Sequence, residues 1–177
     1  AVGADPDRVA WALDLARKAA ADAGRDPGEI SFGAYVNVGC HPDFDVAREL
    51  ISGAVAAFAH FSSMPGSTGA GLADADRAVV AEVGKRYDSN QHLSNAAEHT
   101  DALQPEFVDR FEVVGTPDAC AHRLGELADL GLERFVITGA SFGSDPTHAR
   151  ASNRLLVEEL VPALRAPLQG RLRGGPR

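Results

Sequence analysis

Residues 111–143, FEVVGTPDACAHRLGELADLGLERFVITGASFG, decide the fold class of this chain. Thr116-Pro117-Asp118 predicts a helix start, because Pro is favoured at the first helical position after a Thr cap. Gly131 ends the predicted helix, and a strand follows over residues 134–138. The strand runs into a glycine-punctuated loop at 139–143. Helix, buried strand and glycine-rich loop form one step of an α/β protein, and such proteins bind ligands at the carboxyl ends of their strands.

A second strand is predicted at residues 30–40, where Phe32, Ala34, Val36 and Val38 share one face and the residues between them face the other way. Helices are predicted over residues 6–23, 45–61 and 73–87 and from Pro146 onward. Two strands so far apart in sequence do not close a sheet of their own. We therefore expect them to pair in parallel with further strands, or with strands of a second copy of the chain.

The composition excludes several classes of partner. Lys and Arg number 17 and Asp and Glu number 25, for a net charge of −8; nucleic acid is therefore not expected, since phosphate binding needs a basic footprint. The basic tail at 166–177 is short and predicted to be flexible. No apolar run approaches the ~20 residues of a membrane helix, so no membrane partner is expected. Cys40 and Cys120 have no metal or redox spacing and are predicted to be core residues of a protein in a reducing cytoplasm.

One motif matches a hydrolase signature. Gly139, Ala140, Ser141, Phe142 and Gly143 fit G-x-S-x-G, the nucleophile elbow, and they follow a strand. The elbow requires a helix immediately after the serine, whereas here the next helix start comes only at residues 145–146. Too little chain follows to supply an acid and a histidine on later strands. We therefore do not interpret the serine as a nucleophile.

Other polar stretches are weaker signals. Residues 66–71, GSTGAG, lack the Lys-Ser/Thr of a phosphate-binding loop and predict a mobile loop, with a lid over a ligand as the alternative. The six histidines show no ligand spacing, so no metal site is predicted. His92 and Arg110 lie in an irregular polar segment between helices, and such segments are often functional. Both are candidates for lining a site, with a solvated surface role as the alternative.

Several motifs together resemble the C-terminal portion of the luciferase-like monooxygenases, the flavin- or deazaflavin-dependent barrel family that includes methylenetetrahydromethanopterin reductase. The resemblance covers about residues 1–165 and each motif alone is weak. The segments that carry it are GADPDR at 3–8, GRDP at 24–27, AYVNV at 34–38, FVDRF at 107–111, VGTPD at 114–118 and LGLERFV at 130–136.

The resemblance implies a fold and a chemistry. The fold is the C-terminal part of a TIM (β/α)8 barrel, helix-rich with few parallel strands, in which residues 1–3 end the sixth strand and residues 30–40 and 134–138 form the seventh and eighth. The chemistry is hydride transfer between coenzyme F420, a deazaflavin, or FMN and a small organic substrate. Gly139, Ala140, Ser141 and Phe142 are then expected to approach the cofactor. His92 and Arg110 are expected to contact the substrate or a charged cofactor tail.

The same resemblance implies that most of the cofactor site lies on earlier strands, so the chain alone is expected to be inactive and possesses no assignable catalytic acid. A second hypothesis is a non-catalytic α/β module that self-associates through its open strand edges, because exposed parallel strands need cover. A homo-oligomer is expected in that case.

Overall fold

The computed structural model describes residues 2–64 and 72–165. The helices and strands are, in chain order, α1 Pro6–Asp22, β1 Gly33–Cys40, α2 Phe44–Ser63, α3 Asp74–Arg86, α4 Pro105–Phe111, β2 Val113–Gly115, α5 Pro117–Asp129, β3 Arg134–Thr138 and α6 Pro146–Leu155. Short 3₁₀ turns form at Pro27–Glu29, Ser89–Gln91 and Glu98–Ala102, and a π-helical turn, Leu156–Leu160, continues the last helix.

The three strands form one parallel sheet in the order β2-β1-β3. β1 is central: Val38 is level with Val113 of β2, and Tyr35 is level with Val136 of β3. Val2 makes an isolated parallel bridge to Tyr35 on the same side as β2. Because Val2 and β2 pair with successive parts of β1, together they form its neighbour along one edge.

One face of the sheet is covered by α1, α5 and the end of the last helix. Ala34, Val36 and Val38 of β1 are buried on this face. Here α1, which leads into β1, and α5, which connects β2 to β3, pack against them. The other buried members of this first core are Ala4, Val9, Leu13, Cys40, Val113, Cys120, Leu124, Leu127, Leu132, Leu156 and Leu160. The prediction that both cysteines are core residues is confirmed.

The opposite face, which we call the inner face, lies against α2. Tyr35, Asn37 and Gly39 share it because side chains alternate along a strand. A Cβ on Gly39 would stand 2.0 Å from the carbonyl oxygen of Ala47, so only glycine permits this approach of helix to strand. Further along α2, the Phe58 ring lies 5.6 Å from the Tyr35 ring. α2 therefore follows β1 along the face that α1 and α5 leave free.

A second core joins α2 to the helices that follow it. α2 has a long apolar surface, and its outer side packs on α3, on α4 and on the turn Glu98–Ala102. The buried members are Leu50, Ile51, Val55, Ala56, Ala59, Leu72, Val80, Val83, Ala102, Phe107, Val108 and Phe111. The two cores lie on opposite faces of the sheet, so α2 is the layer between the strands and the polar segment at 88–104.

The helix starts predicted from the sequence are confirmed by their caps. The Asp5 carboxylate accepts the Arg8 N–H at 2.8 Å, and the Thr116 hydroxyl accepts the Ala119 N–H at 3.3 Å. Asp145 caps α6 in the same way. These side chains satisfy N–H groups that have no partner inside a first helical turn.

Some boundaries and the strand count differ from prediction. β1 begins at Gly33 rather than at residue 30, because Pro27–Glu29 forms a 3₁₀ turn and residues 30–32 lead out of it. α2 extends to Ser63, past its predicted end at residue 61. β2 was not predicted: three residues are too short for an alternating pattern, and only pairing with β1 makes them a strand.

Two sequence predictions lie outside the described residues, namely the glycine-rich loop at 66–71 and the basic tail at 166–177. Within the described parts of the chain, none of the helices is both long enough and apolar enough to cross a bilayer.

Candidate functional site

A cleft of about 290 Å³ opens at the carboxyl ends of β1 and β3. This is the end of a parallel sheet at which α/β proteins bind ligands. The sequence pointed to the loop after β3, and all four of its predicted residues line the cleft. The full lining is Tyr35, Asn37, Ala54, Phe58, Leu93, Thr138, Gly139, Ala140, Ser141 and Phe142.

Ser141 fastens the loop after β3 to α2. Its backbone N–H donates to the Leu50 carbonyl oxygen at 2.7 Å, and its hydroxyl accepts the Ala54 N–H at 3.1 Å. The Leu50 carbonyl and the Ala54 N–H are the i and i+4 groups that pair along an α-helix. Ser141 therefore hydrogen-bonds to both groups of one such pair. The hydroxyl thus has a structural partner at the place where a nucleophile elbow would expose it, and this supports the rejection of the hydrolase reading.

Asn95 anchors the neighbouring segment to the same turn of α2. Its side-chain oxygen accepts the Gly53 N–H at 2.8 Å, and its side-chain nitrogen donates to the Glu49 carbonyl oxygen at 2.6 Å. The Phe142 N–H donates to the Leu93 carbonyl oxygen at 3.1 Å, which joins the two loops. Leu93 has φ 62°, a conformation unusual for a side chain larger than glycine. The cleft wall is therefore built from two loops held on one helix.

Leu93 and Asn95 were not predicted as site residues. The only sequence signal for them was the irregular polar character of residues 88–104. Which residues of that segment reach the cleft depends on how it folds back over α2, and this is a tertiary contact that no local pattern encodes.

The polar side of the cleft is a hydrogen-bonded row of three side chains. The Thr138 hydroxyl donates to Asn37 Oδ1 at 2.6 Å, and Asn37 Nδ2 donates to Glu112 Oε1 at 3.1 Å. The Asn37 backbone N–H donates to Glu112 Oε2 at 3.0 Å. Burial raises the pKa of Glu112 to about 8, while the two N–H donors of Asn37 act in the opposite direction.

The apolar side of the cleft is aromatic. The tilted Tyr35 and Phe58 rings form one wall, and Phe142, 70% exposed, stands at the opening. Aromatic walls with a few fixed polar groups are typical of sites for planar small molecules. In chemical terms the cleft can receive a flat ring, with hydrogen-bonding groups along one edge of it.

The family model of the luciferase-like monooxygenases matches residues 1–134. The chain belongs to this family. The resemblance read from its motifs is thereby confirmed. No curated protein matches the sequence.

Among solved structures, the coenzyme F420-dependent tetrahydromethanopterin reductase from Methanopyrus kandleri is similar to this family member, with a TM-score of 0.60 and 22% sequence identity. The similarity covers 92% of the chain and 44% of the reductase chain. At this identity the likeness shows the fold, which is part of a luciferase-like barrel as predicted. The chain spans less than half the length of that enzyme.

His92 lies beside the cleft of this luciferase-like chain, outside its lining. The Tyr87 hydroxyl is hydrogen-bonded to His92 Nδ1, and the Tyr87 ring stacks on His60 at 3.9 Å and on His99 at 4.4 Å. Burial lowers the pKa of His99, whose Nδ1 accepts the Asp88 N–H. The substrate-binding role of His92 stays a prediction, supported only by its position next to Leu93.

Arg110 is placed among carboxylates of its own chain. Its guanidinium lies 2.5 Å from Asp5, 3.6 Å from Asp7 and 3.5 Å from Asp76. The hydrogen bond to Asp5, which is 2% exposed, raises the pKa of Arg110. Its charge is therefore balanced within the chain, and the side chain does not line the described cleft. A substrate-binding role for Arg110 stays a prediction, and the contacts favour a structural role.

No three His, Cys, Asp or Glu side chains come together as a metal-binding group within residues 2–64 and 72–165.

Proposed function

We propose that this chain forms one wall of a flavin or deazaflavin site in an oxidoreductase that acts on a small organic substrate. The observation that supports the proposal is the cleft at the carboxyl ends of β1 and β3, which contains Gly139, Ala140, Ser141 and Phe142. Family membership and the F420-dependent neighbour are consistent with it. When bound, reduced F420 or FMN supplies the hydride.

The described residues fit the ring system of such a cofactor. The cleft is near the lower end of small-molecule site volumes, about 300 Å³, which suits a ring system and leaves the cofactor tail to other parts of the protein. Phe58 and Phe142 offer apolar contact, and Thr138 offers polar contact at one edge with Asn37 buried behind it. These residues would position the ring and exclude water from one side of it.

Because the chain contributes one wall, we expect it to bind cofactor weakly and to show no turnover by itself. NMR titration with F420 and with FMN tests this. The expected result is a dissociation constant above about 10 μM, with shifts concentrated at residues 139–142 and at Tyr35. Sub-micromolar binding would contradict the view that most of the site lies elsewhere, and an absence of shifts at these residues would overturn the cofactor proposal.

A pair of variants localises the binding. Phe142→Ala removes an exposed ring at the cleft opening and should weaken cofactor binding about threefold to tenfold without loss of stability. Phe61→Ala removes a ring that is 51% exposed outside the described cleft and serves as the control. Equal effects of the two substitutions would show that the cofactor does not use the cleft.

A second candidate function is that of a non-catalytic module that self-associates. The observation in its favour is an exposed apolar row across the inner face: Val2, Tyr35 and Val136 are 61%, 39% and 57% exposed and lie in register on adjacent strands. Side chains level with each other on parallel strands point to the same face, so the row is continuous. Its burial by a second copy would remove this surface from water.

A further inference from the structure

Glu112 is buried at a place where the edge of the sheet is interrupted. Val2 pairs with β1 at Tyr35, and β2 pairs with it from Val38 onward. Between these contacts the Asn37 N–H faces a position that neither strand fills. The Glu112 carboxylate accepts this N–H at 3.0 Å and replaces the missing strand carbonyl. Glu112 follows α4 directly and is 2% exposed.

The same carboxylate fixes the orientation of the Asn37 side chain. Both Glu112 oxygens accept from Asn37, Oε2 from the backbone N–H and Oε1 from Nδ2, so the Asn37 group that faces Glu112 is its NH₂ end. Ionisation of Glu112, which predominates only above its pKa of about 8, enforces this orientation because a carboxylate can only accept. The oxygen end of the amide then points to Thr138, whose hydroxyl donates to it at 2.6 Å. Asn37 is 1% exposed, so the amide has little room to turn.

The state of the Thr138 hydroxyl follows from this orientation. A hydroxyl has one proton and two acceptor lone pairs. The proton is directed inward, to Asn37 Oδ1 at 2.6 Å with the Val36 carbonyl oxygen at 3.3 Å as a longer alternative. The group that Thr138 turns toward the cleft is therefore an acceptor. If Asn37 were reversed, its NH₂ would donate to Thr138, and the hydroxyl proton would lose its shorter acceptor and be shared between the Val36 carbonyl oxygen at 3.3 Å and a group in the cleft.

We propose that Glu112 is a positioning residue which, through Asn37, makes Thr138 a hydrogen-bond acceptor for a ring N–H of a planar heteroaromatic ligand in the cleft. The ligand class rests on the function proposed above: both FMN and F420 present a pyrimidinedione edge with one N–H. Glu112 itself touches no ligand. Thr138 is the residue that contacts it, beside the aromatic wall of Tyr35 and Phe58.

The first test needs no ligand. In the 177-residue chain at about pH 9, where the Glu112 carboxyl is ionised, Glu112→Gln should turn or loosen the Asn37 amide, because an amide at position 112 can no longer accept both N–H groups. We expect the Asn37 side-chain amide protons to exchange at least about tenfold faster and the Thr138 methyl signal to shift. Glu158→Gln, at an exposed position on the last helix, is the matched control. Unchanged Asn37 and Thr138 signals in folded Glu112→Gln would overturn the positioning role.

The second test compares FMN with N3-methyl FMN, which lacks the ring N–H. Wild type should prefer FMN by about threefold to tenfold, the range of one hydrogen bond. Thr138→Val should abolish the preference and Thr138→Ser should retain it. Glu112→Gln should reduce it as Thr138→Val does. If Glu112→Gln does not fold, the two Thr138 variants still decide whether the hydroxyl recognises the N–H.

The outcomes separate the two proposals. If wild type binds FMN but does not distinguish its N3-methyl analogue, the acceptor role of Thr138 is wrong while the cofactor proposal stands. If wild type binds neither FMN nor F420, the cofactor proposal and the ligand class fail together, and the Asn37 and Thr138 signals still decide whether Glu112 positions the pair.

Discussion

The Glu112 carboxyl group is buried in the protein interior. Its two hydrogen-bond donors, a backbone N–H and a side-chain N–H, both belong to Asn37. Desolvation is the larger effect on this group and favours its neutral form. A change of pH is therefore expected to alter the hydrogen bonds between Glu112 and Asn37. Through Asn37 it should also alter the hydrogen bonding of the Thr138 hydroxyl in the cleft.

A pH dependence of stability follows. The pKa of Glu112 is about 8 in the folded chain and 4.5 for the free group, so between these values the folded state holds the extra proton. The free energy of unfolding should fall as pH rises through this window, by up to about 1.4 kcal/mol per pH unit. The stabilising contribution of protonated Glu112 to the free energy of unfolding is fully present below pH 4.5 and is lost well above pH 8. Urea unfolding of wild type and Glu112→Gln between pH 5 and 9 measures it.

The control for this prediction is Glu158→Gln, which should keep the wild-type slope. A Glu112→Gln variant with the same slope as wild type would contradict the assignment of the titration to Glu112.

Arg110→Ala separates the structural from the substrate-binding interpretation of Arg110. The substitution leaves the buried Asp5 carboxylate without its charged partner, which is 2.5 Å away. We expect a loss of about 1–3 kcal/mol of unfolding free energy, less than for a fully buried pair because the Arg110 side chain is 38% exposed. Denaturant unfolding measures the loss.

Arg86→Ala is the matched control, since it breaks an exposed pair with Glu82 and should cost less than about 0.5 kcal/mol. Equal small losses in both variants would favour the substrate-binding interpretation of Arg110.

At the scale of elements, the packing of α2 on β1 depends on Gly39. A Cβ at this position would clash with the Ala47 carbonyl oxygen, a backbone atom that no side-chain rotation can move. Gly39→Ala should therefore destabilise the chain by about 1–3 kcal/mol and disturb the cleft, since α2 contributes Ala54 and Phe58 to it. Thermal unfolding combined with the Tyr35 ring signals checks both effects.

Gly125→Ala provides the comparison for Gly39→Ala. Gly125 lies inside α5, and a Cβ there meets no atom within 4 Å apart from the backbone of its own helix and its chain neighbours. Alanine should raise helix stability by up to about 1 kcal/mol. Opposite signs for the two substitutions are expected, and destabilisation by both would point to a general intolerance of the fold rather than to the α2–β1 contact.

At the scale of the whole molecule, the inner face is where association is expected. Under the second candidate function, the chain should dimerise as its concentration rises, and Val136→Lys should weaken the dimer by placing a charge in the apolar row. Sedimentation velocity over a concentration series measures this. Val157→Lys changes a residue that is 68% exposed on the last helix and should have no effect. A wild-type chain that stays monomeric throughout the series would refute self-association.

Local patterns in the sequence were sufficient to predict most helices and strands and the family. Caps at Thr116 and Asp145 and the strand Arg134–Thr138 follow from short-range chemistry, and the motifs identified the luciferase-like family. The loop at the end of β3 was predicted to face a ligand because α/β proteins bind ligands at the carboxyl ends of their strands. Its residues line the cleft, and their contact with a ligand stays a prediction.

Which residues meet at the cleft depends on contacts between segments that are distant in sequence. β2 is a strand solely because β1 lies beside it, and Glu112 reaches Asn37 across 75 positions of sequence. The place of α2 on the inner face, and of Leu93 at the cleft, likewise depends on contacts between distant segments. Helix caps and hydrophobic periodicity depend on residues close in sequence. Burial, desolvation and hydrogen bonds between distant polar groups depend on how the whole chain packs.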